Sequence, residues 1–290
     1  MTKIQGRLLQ CNGGFYYVET ADAVYECRAR GVFRKQGTTP LAGDLVCIEP
    51  QDDKVGTLTE LLPRRNALIR PAVANLDVLV IVVAVADPRP NTLIIDKMIA
   101  LAEEQEIEPV VVISKSDLMD AAAWEKLYTT AGITTFSVTS TDPQTVAPLK
   151  AHLAGKMTAF TGNSGVGKST ILNMMEPAWG LMTGETSKKL GRGRHTTRTV
   201  TLYPWAGGYI ADTPGFSSLD MARVEIPKEH LPFCFREFEP YLGSCRFTSC
   251  SHTKEKGCAI LEAVANGEIA ASRHESFVVM LEEAKSREEW

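Results

Sequence analysis

Long apolar runs are missing from the sequence: no stretch approaches the ~20 residues that a membrane-spanning helix needs. The N-terminal residues MTKIQGRLLQ alternate apolar and polar side chains as a β-strand does, unlike the apolar core of a secretion signal. Net positive charge is also missing, because the formal charge is −4, and this excludes a general binder of polyanions. We therefore expect a soluble, cytoplasmic protein without a membrane partner, in which any contact with nucleic acid depends on local basic clusters.

Cysteine is scarce and unevenly placed. Of the seven cysteines, Cys11, Cys27 and Cys47 are scattered through the first fifth of the chain, whereas the other four crowd together near its end. Crowded thiols in a cytoplasmic protein favour a metal site over disulfide bonds.

The texture of the chain changes twice along its 290 residues, which exceed one average domain. Residues 1–66 contain five short β-branched or aromatic runs between turn signals, which predict an oligonucleotide-binding (OB)-type β-barrel, although an SH3-like barrel would give a similar pattern. Residues 67–220 alternate apolar strands with helical spacing, which predicts a parallel α/β sheet. Residues 221–290 hold the crowded cysteines and two predicted helices broken near Asn266. The sequence thus predicts a multidomain α/β protein.

A phosphate-binding loop is predicted at GNSGVGKS, which matches the spacing G-x-x-x-x-G-K-[ST] after a predicted strand and at the start of a helix. The backbone amides of such a loop surround phosphates, Lys168 reaches the β- and γ-phosphates, and the Ser169 hydroxyl ligates Mg²⁺. The residues predicted to bind nucleotide here are Gly162, Asn163, Ser164, Gly165, Val166, Gly167, Lys168, Ser169 and Thr170.

The sequence SKSD, from Ser114 to Asp117, predicts the base that is bound. The Asp117 carboxylate accepts two hydrogen bonds from the N–H groups of guanine, whereas adenine would leave it unpaired. The aliphatic stem of Lys115 lies across the ring, and Ser116 completes the loop. This motif alone is a common surface turn, but at the end of a buried strand in a P-loop protein it favours GTP. The sequence SVTS, residues 137–140, ends the next strand and could close over the base.

The γ-phosphate side is predicted at DTPG, where Asp212 holds the hydration shell of Mg²⁺ through water and the Gly215 amide meets the γ-phosphate. In GRGRHTTRT, Thr196 or Thr197 would add a hydroxyl to Mg²⁺. His195 is the candidate that orients the attacking water, with an rRNA contact or a solvated loop as the alternatives. No glutamine follows DTPG, so the isolated protein should hydrolyse GTP slowly and depend on a partner.

The order of these motifs is unusual, because the base selector precedes the P-loop and DTPG comes last. Most GTPases begin with the P-loop, so this order indicates a circular permutation of the same sheet, which neighbouring chain ends make tolerable. The DTPG strand then leads directly into the cysteine-rich segment.

A metal site is predicted by the spacing C-x₄-C-x-H-x₅-C, formed by Cys245, Cys250, His252 and Cys258. Three thiolates and one imidazole suit a single tetrahedral, structural Zn²⁺, with a disulfide pair as the alternative. The segment has little apparent core of its own, so the metal is expected to supply its folding energy. Cys234 lies outside the spacing and is expected to be a buried thiol.

Basic residues are segregated into three clusters that predict contacts with RNA phosphates, although a single cluster is more often a solvated face. They comprise Arg28, Arg30, Arg34 and Lys35; Arg64, Arg65 and Arg70; and Lys188, Lys189, Arg192, Arg194 and Arg198.

The motif order, the leading barrel and the trailing cysteines together resemble the ribosome small subunit-dependent GTPase A family (RsgA, also YjeQ or YloQ), on the motifs GNSGVGKST, GRHTTR and DTPGF. The resemblance implies GTP hydrolysis stimulated by the small (30S) ribosomal subunit, contact with its rRNA, late maturation of that subunit and coupling of GTP state to release. It also agrees with zinc at the cysteine cluster and with catalysis by His195.

One departure is Ser114, where the family usually has Asn or Thr to brace the P-loop, and the shorter reach of serine puts nucleotide affinity in question. We expect a monomer that exchanges GTP and GDP. An RNA-binding adaptor with structural GTP, and a P-loop kinase, are the alternative functions.

Overall fold

A computed structural model of the protein describes residues 3–29, 39–69, 72–181, 200–212 and 225–288. The chain forms two compact units. The first consists of Met1–Leu79, Ala151–Phe160 and Lys188–Leu219. The second consists of Val80–Lys150, Thr161–Ser187 and Asp220–Trp290. Each unit combines segments that are far apart in the sequence, and the domain limits 1–66, 67–220 and 221–290 stay a prediction.

The described strands are β1 Ile4–Asn12, β2 Phe15–Glu19, β3 Val24–Ala29, β4 Leu45–Pro50, β5 Val55–Leu61, β6 Ala67–Ile69, β7 Ala72–Ala74, β8 Val78–Ala84, β9 Glu108–Ser114, β10 Thr134–Val138, β11 Met157–Thr161, β12 Thr201–Trp205 and β13 Gly208–Asp212. The described α-helices are α1 Thr92–Glu104, α2 Ala122–Thr130, α3 Ala147–Leu153, α4 Lys168–Met175, α5 Ala259–Ala265 and α6 Ala271–Glu288.

The first unit contains a closed β-barrel of five strands, β1 to β5. Strand β1 pairs with both β2 and β4, and β3 skips β4 to pair in parallel with β5. This Greek-key order confirms the predicted OB-type barrel. Its core comprises Leu8, Val18, Cys27, Val46, Ile48 and Leu58.

Beyond the barrel, the first unit contains two further pieces of sheet. Strands β6 and β7 form a small antiparallel hairpin, which sequence analysis missed because runs of three residues show no measurable period. Strand β13 pairs in parallel with β11 and antiparallel with β12, and β12 pairs with β1 at Thr201 and Gln10. Strand β12 is thus antiparallel to its neighbours, whereas the pairings β9–β10 and β11–β13 are parallel, as predicted.

In the second unit, β9 lies between β8 and β10 and pairs in parallel with β10. Most residues of β8 and β9 are buried, as expected of strands that are covered on both faces. Helix α1 begins after Asn91, whose side chain accepts a hydrogen bond from the Ile94 amide and caps the helix. No helix of the described residues is both long and apolar enough to cross a membrane.

The cysteine-rich segment has a larger apolar core than its sequence suggested. Phe235, Phe238 and Phe277 pack with ring centroids 5.0–5.5 Å apart, and apolar residues of α5, α6 and α1 surround them. The expectation that this segment has little core of its own is therefore wrong, because almost all of the described buried residues of this cluster belong to the segment itself and only Ala100 comes from helix α1. This packing, together with the barrel and the α/β sheets, confirms the predicted fold class.

A buried ionic cluster ties helix α6 to helix α1. Arg273 is 1% exposed and donates to Asp96 of α1 at 2.7 Å, and to both oxygens of Glu237 at 2.7 and 3.1 Å. Its guanidinium also lies 4.6 Å from the ring centroid of Phe235. Removing the cation would leave two buried carboxylates unpaired, so this cluster fixes how α6 packs on α1.

Two arginines of the second basic cluster are held in ion pairs within the protein. Arg64 binds both oxygens of the fully buried Asp44 at 2.6 and 2.8 Å, and Arg65 binds Asp77 at 2.6 Å. Both arginines therefore hold the link after the barrel, and their predicted contact with RNA phosphates stays a prediction. The remaining cation of that cluster, Arg70, lies outside the described residues.

Candidate functional site

The P-loop lies between strand β11 and helix α4 and has the backbone that its glycines permit. Gly162 has φ 139°, and a Cβ there would lie 2.3 Å from the carbonyl oxygen of Val82. Gly167 has φ 95° and caps the N-terminus of α4. Ser164 and Gly165 are exposed and Val166 is buried, so the tip of the loop is accessible while its base is packed.

Lys168 bends back over the loop. Its ammonium donates to the carbonyl oxygens of Gly162 at 2.6 Å and Asn163 at 2.8 Å. Burial lowers the pKa of Lys168 to about 8, because a partly desolvated ammonium is less stable than one in water. Ser169 and Thr170 follow in the first turn of α4, both half-buried.

Ser114 connects the predicted base-selecting loop to the P-loop. It is the last residue of β9, is 4% exposed, and its hydroxyl lies 2.6 Å from the Val166 carbonyl oxygen and 3.2 Å from that of Val83. A hydroxyl has one proton, so the shorter contact is the stronger donor interaction. The expectation that serine lacks the reach to brace the P-loop is wrong, because β9 ends within hydrogen-bond distance of it.

The carboxylate of Asp117, the predicted base selector, is held by a residue of a second loop. Asp117 is exposed, and its Oδ1 accepts a hydrogen bond of 2.5 Å from the Thr139 hydroxyl, which follows β10. Thr139 is itself held by the Thr145 hydroxyl, which accepts from the Thr139 amide at 3.1 Å. Lys115 has φ 59° and donates to the Asp87 carbonyl oxygen at 2.5 Å. Sequence analysis predicted that SVTS closes over the base but missed the hydrogen bond between Thr139 and Asp117. The hydroxyl side chain directly after strand β10 was the available signal.

Several predicted residues fall outside the part of the chain that the structure describes. These are His195, Thr196, Thr197 and Gly215, together with Arg30, Arg34 and Lys35 of the first basic cluster and the whole third basic cluster. Asp212 is the last residue of β13, and its backbone is described.

The four predicted metal ligands converge. The nitrogen and sulfur atoms that Cys245, Cys250, His252 and Cys258 offer all lie within 4.8 Å of one another. His252 Nδ1 lies 3.5 Å from Cys245 Sγ and 3.6 Å from Cys258 Sγ, and these two sulfurs are 3.8 Å apart. A tetrahedral metal bound by sulfur at about 2.3 Å and nitrogen at about 2.0 Å places a nitrogen and a sulfur ligand about 3.6 Å apart and two sulfur ligands about 3.8 Å apart. The cluster therefore has the size and donor set of a four-coordinate metal site.

The loop that holds these ligands is shaped by residues that sequence analysis missed. The Glu255 carboxylate accepts hydrogen bonds of 3.0 Å from the amides of Ser251, Thr253 and Lys254. Burial opposes its charge, but the hydrogen bonds dominate and lower the pKa of Glu255. Cys234 is buried outside the cluster, where burial foremost raises the pKa of its thiol to about 12.

The family models and the relatives that match this sequence carry the same family name. Family models match residues 5–58 (RsgA N-terminal domain) and residues 61–222 (RsgA GTPase). A protein of Caldanaerobacter subterraneus subsp. tengcongensis named small ribosomal subunit biogenesis GTPase RsgA is 44% identical over 292 residues, which cover 99% of this chain and 98% of that protein. A Bacillus subtilis protein of the same name is 40% identical, with 98% of each chain covered.

Solved structures agree with these relatives. The crystal structure of YloQ, described as a circularly permuted GTPase, has a TM-score of 0.81 and 35% identity, and covers 99% of this chain and 96% of that one. YjeQ from Thermotoga maritima has a TM-score of 0.81 and 34% identity, with coverage of 98% and 99%. A GTPase family model over residues 61–222, relatives at 40% identity or more along the whole chain, and a permuted structural match all lead to one assignment. The chain belongs to the RsgA GTPase family, whose members are circularly permuted, GTP-hydrolysing enzymes.

Proposed function

We propose that this GTPase acts in the maturation of the small ribosomal subunit, which stimulates its GTP hydrolysis. The observation that carries the proposal is the hydrogen bond from Ser114 to the P-loop carbonyl of Val166, because it joins base selector and phosphate loop into one site. The names of the full-length relatives supply the partner. Contact with rRNA, release coupled to GTP state, a monomeric protein and a cytoplasmic location are parts of the same proposal.

The phosphates would bind where Lys168 now contacts carbonyl oxygens. A phosphate oxygen carries more charge than the carbonyls of Gly162 and Asn163, so it competes for the ammonium. Ser169 would hold Mg²⁺, with Asp212 through water and Thr196 or Thr197. The bound Mg²⁺ would neutralise charge that develops on the β- and γ-phosphate oxygens.

Guanine would be recognised by Asp117, which already has its carboxylate oriented by Thr139. A carboxylate held by a hydroxyl loses less freedom when the base binds, so more of the hydrogen-bond energy appears as affinity. Gly215 and His195 are proposed to meet the γ-phosphate and the attacking water. This proposal rests on their sequence motifs.

The metal cluster is proposed to hold one structural Zn²⁺. Three sulfurs and one nitrogen leave no open coordination position, which is typical of structural rather than catalytic zinc. His274 donates its Nε2 proton to the His252 carbonyl oxygen at 2.7 Å, which fixes the backbone of one ligand. Zinc would therefore order the loop from Cys245 to Cys258 beside the phenylalanine core.

The test is GTP turnover with and without purified small subunits, using Lys168→Ala as the inactive control. We expect slow turnover alone, clear stimulation by small subunits, and no stimulation by large subunits. Turnover that small subunits leave unchanged would exclude this function. In that case, RNA binding that persists without turnover would favour the adaptor function instead.

A further inference from the structure

The β-barrel is joined to strand β13 within the first unit by one row of backbone pairs. Thr201 of β12 pairs with Gln10 of β1 on one side and with Asp212 of β13 on the other. Neighbouring strands are about 4.8 Å apart, so the Asp212 backbone lies about 10 Å from a barrel strand. The residue proposed to hold the hydration shell of Mg²⁺ is therefore two strand spacings from the barrel.

A side-chain cluster reinforces this row. The Tyr209 hydroxyl of β13 donates to Glu19 Oε2 at the end of β2, at 2.5 Å. Arg7 lies opposite Glu19 in the β1–β2 register, and its guanidinium is 5.2 Å from the Tyr209 ring centroid. Arg7 also donates to the Gly43 carbonyl oxygen at 3.2 Å. The tyrosine ring is thus held by an anion at its hydroxyl and a cation over its face, both from the barrel.

Strand β13 is also tightly packed at its start. A Cβ on Gly208 would lie 2.3 Å from the Lys156 carbonyl oxygen, so only glycine fits where the two backbones approach. Tyr209 is the next residue and pairs with Met157 of β11. Asp212 follows three residues later, which is about 10 Å along a strand. A shift of the strand at Tyr209 is therefore passed along the ladder to Asp212.

We propose that the hydrogen bond between Glu19 and Tyr209 is a positioning contact through which the barrel sets β13, and with it Asp212, for Mg²⁺-dependent GTP hydrolysis. The proposal rests on the proposed function, since it takes Asp212 as the residue that holds the Mg²⁺ hydration shell. Neither Glu19 nor Tyr209 belongs to the predicted nucleotide-binding motifs. Both act on the reaction through the strand.

The test uses Tyr209→Phe in the full chain, because this change removes the hydroxyl and keeps the ring. Tyr17→Phe is the matched control, since the Tyr17 hydroxyl also donates to a glutamate, Glu26, but inside the barrel. Turnover of GTP is measured against Mg²⁺ concentration, with and without small subunits. Thermal unfolding of each variant shows that it is folded.

For Tyr209→Phe we expect the half-saturating Mg²⁺ concentration to rise at least about threefold, as loss of one hydrogen bond allows. Turnover at saturating Mg²⁺ without subunits should stay near wild type, and stimulation by subunits should fall by a similar factor. Tyr17→Phe should match wild type in all three. Glu19→Gln, which weakens the same bond from its other side, should change the Mg²⁺ requirement in the same direction.

A wild-type Mg²⁺ requirement in Tyr209→Phe would overturn the proposal, as would an equal change in Tyr17→Phe. If small subunits fail to stimulate even the wild-type protein, the proposed function is refuted. The Mg²⁺ titration without subunits still decides the role of Tyr209 in that case.

Discussion

Arg273 offers the sharpest test of how the cysteine-rich segment packs on helix α1 within the second unit. We predict that Arg273→Met destabilises the protein by about 3–5 kcal/mol, because it leaves two buried carboxylates without their cation. Asp96 and Glu237 are 0% and 4% exposed, so water cannot replace the lost partner. This loss is a large share of the roughly 5–15 kcal/mol that stabilises a typical protein.

The size of the loss should depend on pH. Burial, the largest influence, raises the pKa of Asp96 even with Arg273 present, and loss of the cation should raise it further. A carboxyl with a raised pKa in the folded state binds a proton that the unfolded chain releases, so stability falls as pH rises through that interval. The deficit of Arg273→Met relative to wild type should therefore be smaller in acid and grow toward neutral pH.

Urea unfolding at several pH values measures this prediction. Lys285→Ala is the control, because its pair with Glu282 is 39% and 64% exposed and should contribute no more than about 1 kcal/mol. Adding Asp96→Asn to Arg273→Met should recover part of the stability, since it removes one uncompensated charge. A loss below about 1 kcal/mol for Arg273→Met, or no recovery in the double variant, would refute the reasoning.

Three further predictions concern the nucleotide and metal sites. Thr139→Val should weaken GTP binding about tenfold, because Asp117 loses a charge-assisted donor. Thr135→Val, on the strand β10 that precedes Thr139, should bind normally, and equal binding by both variants in a fluorescence titration would contradict this. Burial lowers the pKa of Lys168 to about 8, so GTP affinity should fall as the pH rises past about 8, and GTP binding should then be accompanied by proton uptake. Calorimetry in buffers of different ionisation enthalpy measures the number of protons taken up. An affinity that does not change with pH would contradict this prediction. Metal analysis should find about one zinc per chain. A chelator should make the cluster thiols reactive, while the far-UV circular dichroism spectrum keeps most of its helical signal. Loss of that signal would show that the metal, not the phenylalanine core, stabilises the segment.

Motifs that act locally could be predicted from the sequence. The P-loop, the base selector and the cysteine spacing each depend on residue types at fixed short intervals, and the buried strands β8 and β9 are continuous apolar runs. The barrel was predictable because turn signals separate its strands. Its distinction from an SH3-like barrel was not, since the parallel pairing of β3 with β5 is a tertiary contact.

What could not be predicted depends on partners distant in the chain. The sequence shows Arg64 and Arg65 as part of a basic cluster, but only the fold shows that Asp44 and Asp77 pair with them. The core of the cysteine-rich segment looked too small because its apolar residues are spread from Ile226 to Leu281 and come together only in the fold, where helix α1 packs against them. Ser114 looked too short because the distance between two loops is set by the sheet and not by the side chain alone.

The central claim is that a base selector placed early in the chain and a P-loop placed later form one guanine site. Competition binding of GTP, ATP and xanthosine triphosphate to wild type and Asp117→Asn tests it most directly, with Asp120→Asn as the control in the same loop. We predict that wild type and Asp120→Asn prefer GTP, and that Asp117→Asn loses this preference and favours the xanthine nucleotide, because an amide now offers a donor. An unchanged preference for GTP in Asp117→Asn would contradict the claim.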